Sequence, residues 1–190
     1  MMATVMNEMG VQGKRYSALA AFYHWLSAIL ITAQLWTGYM FHKVLERGSE
    51  ARGEMMAWHK TLGVLILLVV LLRLGQRLMK PAPEFPSDHP AWEQSLAKWG
   101  HRALYAFMLI VPLTGYIGVS GRGPEVELLG GITIPAIPGF DKDSAHEIGE
   151  FHVILVYAFV ALLIVHVFAA LRHHGDRPSS ARGRMWPSRP

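Results

Sequence analysis

Four stretches of this chain each run to about 20 mostly apolar residues, the length an α-helix needs to cross the hydrocarbon core of a bilayer. They are AFYHWLSAILITAQLWTGYMF (about 21–41), AWHKTLGVLILLVVLLRLGQRL (about 57–78), RALYAFMLIVPLTGYIGVS (about 102–120) and FHVILVYAFVALLIVHVFAALR (about 151–172). Lipid offers the backbone no hydrogen bonds, so such segments must satisfy their own polar groups as helices. The expected fold class is therefore all-α: an integral membrane four-helix bundle. Composition agrees, with 52% hydrophobic and 17% charged residues, where a soluble domain carries about 25% charged. The first stretch is expected to be a retained span and not a cleaved signal, because its apolar run exceeds the roughly 7–15 residues of a signal core and no small-residue cleavage site closes it.

Orientation follows from Lys and Arg near the span ends, which collect on the cytoplasmic side. The N-terminal segment, the second connection and the C-terminal tail together carry twelve; the first and third connections carry six. Both termini are thus expected in the cytoplasm. The chain reads as a single four-helix transmembrane domain over 1–175, followed by a basic cytoplasmic tail over 176–190. The net charge of +4 is topology and not a nucleic-acid surface. In the second connection, Pro90 followed by Trp92, Leu96 and Trp99 at helical spacing predicts a short interfacial helix leading into the third span. The Gly- and Pro-rich third connection, 121–150, is expected to be irregular with a short hairpin. No internal repeat is evident.

With no cysteine in the chain, thiolate ligation, covalent haem and cysteine-held iron–sulfur clusters are excluded. Histidine, with ten residues, becomes the natural metal ligand. An ionisable residue inside a span marks a functional site unless it is paired for packing alone. With the N-terminus inside, His24 lies near the inner end of the first span and His59 near the outer end of the second. On the fourth span His152 lies near the outer face and His166 lies 14 residues deeper. That spacing puts the two on nearly one helix face, about 21 Å apart along the axis. Depth alone pairs His59 with His152 and His24 with His166. Two stacked histidine pairs suit two flat cofactors, and non-covalent haem b fits two axial imidazoles in an apolar slot. Ala20, Ala21, Ser27, Ala28 and Gly63 would let a porphyrin approach the backbone. His146 is the rival to His152 as outer ligand. His42, His89 and His146 fall in connections, His101 is expected to meet a haem carboxylate, and His173 and His174 lie at the inner interface.

The motifs RYSALAAFYHWLSA, HKTLGVLILLVVLLRLGQRL, GHRALYAFMLIVPLTGYIGVS and HVILVYAFVALLIVHVFAALRHH, in this order over 15–174, resemble the bacterial cytochrome b-561 family of four-helix, di-haem membrane proteins. The resemblance implies that His24 and His166 bind the iron of a cytoplasmic-side haem and that His59 and His152 bind that of a periplasmic-side haem, in the inner membrane of a bacterium. It also implies a quinone site near the inner haem, built from Arg15, Tyr16, Ser17 and His173. Arg15, Arg73, Arg77 and His101 are candidate propionate contacts.

The function so implied is electron transfer between the membrane quinone pool, ubiquinone or another, and a periplasmic donor or acceptor, with superoxide oxidation coupled to quinone reduction as one form. Lys43, Arg47, Arg52 and Lys60 could steer an anion, diluted by Glu46, Glu50 and Glu54. A second reading is a haem-b anchor subunit that relays electrons for a separate dehydrogenase, hydrogenase or reductase and catalyses nothing alone. A third, a histidine-lined metal transporter, predicts a colourless protein with acidic groups deep in the spans, where few are found.

Overall fold

The computed structural model describes residues 16–83 and 90–172. Arg15, His89, His173, His174 and the 176–190 tail lie outside the described residues. Four long helices make the fold: α1 (Ala18–Tyr39), α2 (Glu50–Met79), α3 (Ala91–Ser120) and α4 (Lys142–Arg172). Each is long and apolar enough to cross a membrane, α1 together with a π-helical turn at Met40–Val44. Their outward faces are apolar, with Leu65, Leu68, Leu72, Ile154, Ile164 and Phe168 all exposed. In water such a surface would aggregate; in lipid it is the solvated side.

Two boundaries differ from the sequence reading. The expected interfacial helix is not separate: Ala91–Ser120 is one continuous helix capped by Pro90. Nothing between Trp92 and the apolar run breaks a helix, and Pro112 within it is carried through, as membrane helices tolerate. Trp92, Leu96 and Trp99 remain exposed along its first turns. Likewise α4 begins at Lys142, well before its apolar run, so His146 sits on a helix and not in a connection; it is exposed. Asp141 starts that helix by accepting from the Ser144 amide (2.8 Å) and hydroxyl (2.6 Å). Those two donors hold the Asp141 carboxyl below the ordinary carboxylate range.

Ser17 and Ser49 cap α1 and α2, each accepting from the backbone amide three residues on. Gly48, at φ +87°, provides the left-handed step before Ser49. The α1, α2, α3 and α4 helices pack in sequence, and the largest interface is α3 with α4. There the backbones nearly touch: a Cβ on Gly118 would stand 2.9 Å from the Gly149 Cα.

The third connection does contain a hairpin. Strands β1 (Glu125–Glu127) and β2 (Thr133–Pro135) pair antiparallel, with Val126 opposite Ile134. The hairpin is laced to two helices. The Leu129 amide donates to Thr61 Oγ1 on α2 (2.9 Å), the Tyr116 hydroxyl on α3 donates to the Pro135 carbonyl, and the Ile137 amide donates to Ser120 Oγ on α3 (3.1 Å). This fixes a hairpin end of the bundle. The opposite end holds the start of α1, the α2–α3 connection and the finish of α4.

The buried core is a band at mid-bundle: Ile31, Ile66, Val70, Leu104, Met108 and Phe159. Phe159 stands seven residues from His152 and seven from His166, stacked on Phe107 at 5.8 Å with an interplanar angle of 11°. Packing of this kind, and not the hydrophobic effect, holds helices together in lipid.

Candidate functional site

Above and below that band, histidines from different helices face one another. At the hairpin end, His59 of α2 faces His152 of α4 with ring centroids 6.5 Å apart and planes at 86°. At the termini end, His24 of α1 faces His166 of α4 at 6.3 Å and 62°. Three helices supply the four rings, and α4 supplies one to each pair.

The two levels differ in what touches the rings. At the hairpin end the Nδ1 atoms meet acceptors. His152 Nδ1 lies 2.9 Å from the Val111 carbonyl, which can only accept, so Nδ1 carries the proton. His59 Nδ1 lies 3.1 Å from Thr37 Oγ1, and that hydroxyl donates its own proton to the Gln34 carbonyl (2.9 Å). Thr37 therefore accepts from His59, and Nδ1 again carries the proton. In both rings the Nε2 lone pair is left for another partner. For His59 that partner is the Gln34 side-chain amide, 3.0 Å away. Gln34 Oε1 is buried with no hydrogen-bond partner among the described residues. An orphaned buried carbonyl costs about 1–3 kcal/mol, so the described residues alone do not satisfy this level. Phe41, on the π-helical turn, closes the side of the His59 ring at 5.1 Å, and Arg52 holds that turn by donating Nε–H to the Phe41 carbonyl (2.8 Å).

At the termini end the partners are cationic. Arg73 Nη2 lies 3.1 Å from His24 Nδ1; a guanidinium only donates, so here Nδ1 is the acceptor. The same guanidinium lies over the Tyr105 ring, and Arg77 lies over Tyr16. His101 presents its ring to His166 at 5.8 Å. Of the residues expected at a quinone site, Tyr16 and Ser17 are described, and Ser17 has the added task of capping α1.

Two imidazoles holding one metal between them, each by a bond of about 2.0 Å with the ring centre about 1.1 Å behind its nitrogen, would have centroids about 6.2 Å apart. The two pairs, at 6.3 and 6.5 Å, stand close to that separation. Among the described residues no group of three or more His, Cys, Asp or Glu could hold a metal ion. A pair of imidazoles therefore suits a metal that arrives with its own equatorial ligands, as in a porphyrin. Sequence reasoning missed Gln34, Thr37, Val111 and Thr114 as partners of the histidines. At the hairpin end an open cavity of about 310 Å³ is lined by Ser49, Arg52, Met56 and Arg122, among others.

The prokaryotic cytochrome b561 family profile matches residues 15–188, nearly the whole chain. The chain belongs to that family. Its relatives include cytochrome b561 homolog 2 of Escherichia coli K12, 27% identical over 85% of each chain. The probable superoxide oxidase CybB of Yersinia pestis is 24% identical over 93% of this chain and 98% of its own. Cytochrome b561 homolog 1 of Escherichia coli K12 is 25% identical over 92% and 98%. As a cytochrome b561 the protein is a multi-pass inner-membrane protein of electron transfer, and its family binds haem b. The histidine-lined transporter reading is set aside by this membership.

Proposed function

We propose that this cytochrome b561 carries two haem b groups and moves single electrons between the membrane quinone pool and superoxide at the periplasmic face. The observation that carries the reading is the two facing imidazole pairs that share α4, each close to the separation two imidazoles would have in holding one metal between them. His59 and His152 hold one haem at the hairpin end; His24 and His166 hold the other at the termini end. Haem b held by these histidines would supply a one-electron couple. The lysines and arginines of the second connection and the tail support a cytoplasmic placement of the termini end, and hence a periplasmic hairpin.

The chain's own residues divide the remaining work. Arg73, Arg77 and His101 put positive and hydrogen-bonding groups beside the termini-end ligands, where porphyrin carboxylates need partners. Arg15, Tyr16, Ser17 and His173 bracket the same end in sequence, and His173 supplies an imidazole for the protons that quinone reduction consumes. At the other end, Arg52 and Arg122 line an open cavity that favours a small anion. Superoxide as that anion is also supported by the name of the Yersinia pestis relative. Two superoxide ions give up one electron each to become dioxygen, and one quinone takes both electrons with two protons from the cytoplasmic side.

The test is the purified chain in lipid nanodiscs with ubiquinone, supplied with enzymatically generated superoxide. Chain-dependent quinol formation at one quinol per two superoxide ions is expected. Haems that neither accept electrons from superoxide nor deliver them to quinone would overturn the proposal, and activity restored only by a co-purifying dehydrogenase would favour a relay subunit.

A further inference from the structure

The chain contains two Thr-Gly dipeptides, Thr37-Gly38 and Thr114-Gly115, each followed by a tyrosine. Both come to rest against a histidine of the same level. Thr37-Gly38 lies on α1 and meets His59 of α2; Thr114-Gly115 lies on α3 and meets His152 of α4. In each case the dipeptide belongs to a helix that does not carry the histidine it touches.

The two residues act on different properties of the ring. Glycine makes room: a Cβ at Gly38 would stand 3.1 Å from His59 Cε1, and one at Gly115 would stand 3.0 Å from His152 Cε1 and 3.2 Å from Nδ1. A side chain there would press on the ring, which would have to give way by a few tenths of an ångström. At His59 the threonine also sets the proton. Thr37 Oγ1 gives its hydrogen to the Gln34 carbonyl and so accepts from His59 Nδ1. Thr114 Oγ1 donates along its own helix to Val111 (2.8 Å) and lies 3.3 Å from His152 Nδ1, beside the Val111 carbonyl that is the closer acceptor. Among the described residues, no glycine meets His24 or His166 in this way.

We propose that the two Thr-Gly dipeptides are paired imidazole cradles, positioning residues that fix the ring orientation of both hairpin-end ligands and, through Thr37, the tautomer of His59, and thereby depress the redox potential of that haem alone. The inference rests on the ligand assignment above. An acceptor on Nδ1–H makes the opposite nitrogen a more basic ligand, which favours the oxidised metal. Loss of the acceptor should therefore raise the potential.

The experiment is a redox titration of the holoprotein with electron paramagnetic resonance of its oxidised low-spin signals and a haem count, for Thr37→Val, Thr37→Ser, Thr114→Val and Gly115→Ala. His152→Ala identifies which component is which. Thr37→Val is expected to shift the hairpin-end component to higher potential, or to release that haem alone, while the other component stays in place. Thr37→Ser should return the wild-type value, Thr114→Val should shift the same component by less, and Gly115→Ala should change its signal or release it. Unchanged potentials in Thr37→Val with both haems present, or equal disturbance of both components, would overturn the cradle. Failure of the ligand assignment is visible separately, as a wild-type chain without two haems.

Discussion

The hairpin-end and termini-end histidine pairs are alike in separation and unlike in everything that touches them. At the hairpin end, Nδ1 protons are taken by a threonine and a backbone carbonyl, which leaves each Nε2 as an acceptor, that of His59 meeting the Gln34 side-chain amide. At the termini end, Arg73 donates to His24 Nδ1, so the proton of the neutral ring sits on the nitrogen that a metal would need. The first pair already holds the tautomer that ligation through Nε2 would need, with the Gln34 amide as the group to be displaced from His59. The second requires the Arg73 guanidinium to turn away, and a porphyrin carboxylate is the partner that would draw it. The lesson is that ring-to-ring distance fixes where a cofactor goes, whereas the proton on the far nitrogen fixes how ready the ligand is.

The largest test of this contrast is removal of the shared helix's ligands one at a time. His152→Ala should leave the chain with only the termini-end haem, and His166→Ala with only the hairpin-end haem, read as half the wild-type haem per chain in each case. Retention of the hairpin-end haem in His152→Ala together with its loss in His146→Ala would reassign the ligand. The exposed position of His146 argues against that.

A smaller effect is expected where the two ends differ in helix packing. Gly118→Ala places a methyl 2.9 Å from Gly149 Cα at the hairpin end, an overpacking that costs about 1–3 kcal/mol. Gly100→Ala, near the other end of α3, meets nothing within 4 Å and should be neutral or stabilising by about 0.5–1 kcal/mol. Thermal melting of the two variants in detergent should show the difference in sign.

Arg73 sharpens the contrast further. Removing a cation from beside a redox site disfavours the reduced state, so Arg73→Leu should lower the termini-end potential by the equivalent of about 1–2 kcal/mol. The hairpin-end potential should not follow. This shift is opposite in sign to the one expected for Thr37→Val at the other level, and equal movement of both components in either variant would erase the distinction between the two sites.

The smallest effect is in pH dependence at the hairpin end. The Asp141 carboxyl is held below its ordinary range by Ser144, so its contribution to starting α4 is complete above the unfolded-state value, near the usual carboxylate range. It is lost as pH falls through the lower folded value. Melting curves of wild type and Asp141→Asn should therefore differ at neutral pH and converge in acid.

Four helices were legible because apolar runs of this length have one stable form in lipid. The facing of His24 with His166 and of His59 with His152 was legible because helical rise converts residue number into depth. The extension of α3 back to Ala91 and of α4 back to Lys142 was not, since hydropathy marks where lipid begins and not where a helix begins. The partners of the rings were also hidden: Thr37 and Thr114 look like ordinary small residues of a span until crossing helices bring them to Nδ1 atoms 22 and 38 residues away. The repeated Thr-Gly-Tyr was the available signal, though too short to read as a repeat. Arg73, a candidate propionate contact, was not legible as a partner of His24, whose Nδ1 its Nη2 approaches to 3.1 Å from a helix 49 residues on.

The central claim is tested most directly by counting haem in the purified wild-type chain, by extracted porphyrin and by iron, with the spin state of each centre read from its spectrum. Two haem b per chain, both six-coordinate and low-spin, is the predicted result. One haem per chain, or a high-spin centre with an open position, would contradict it.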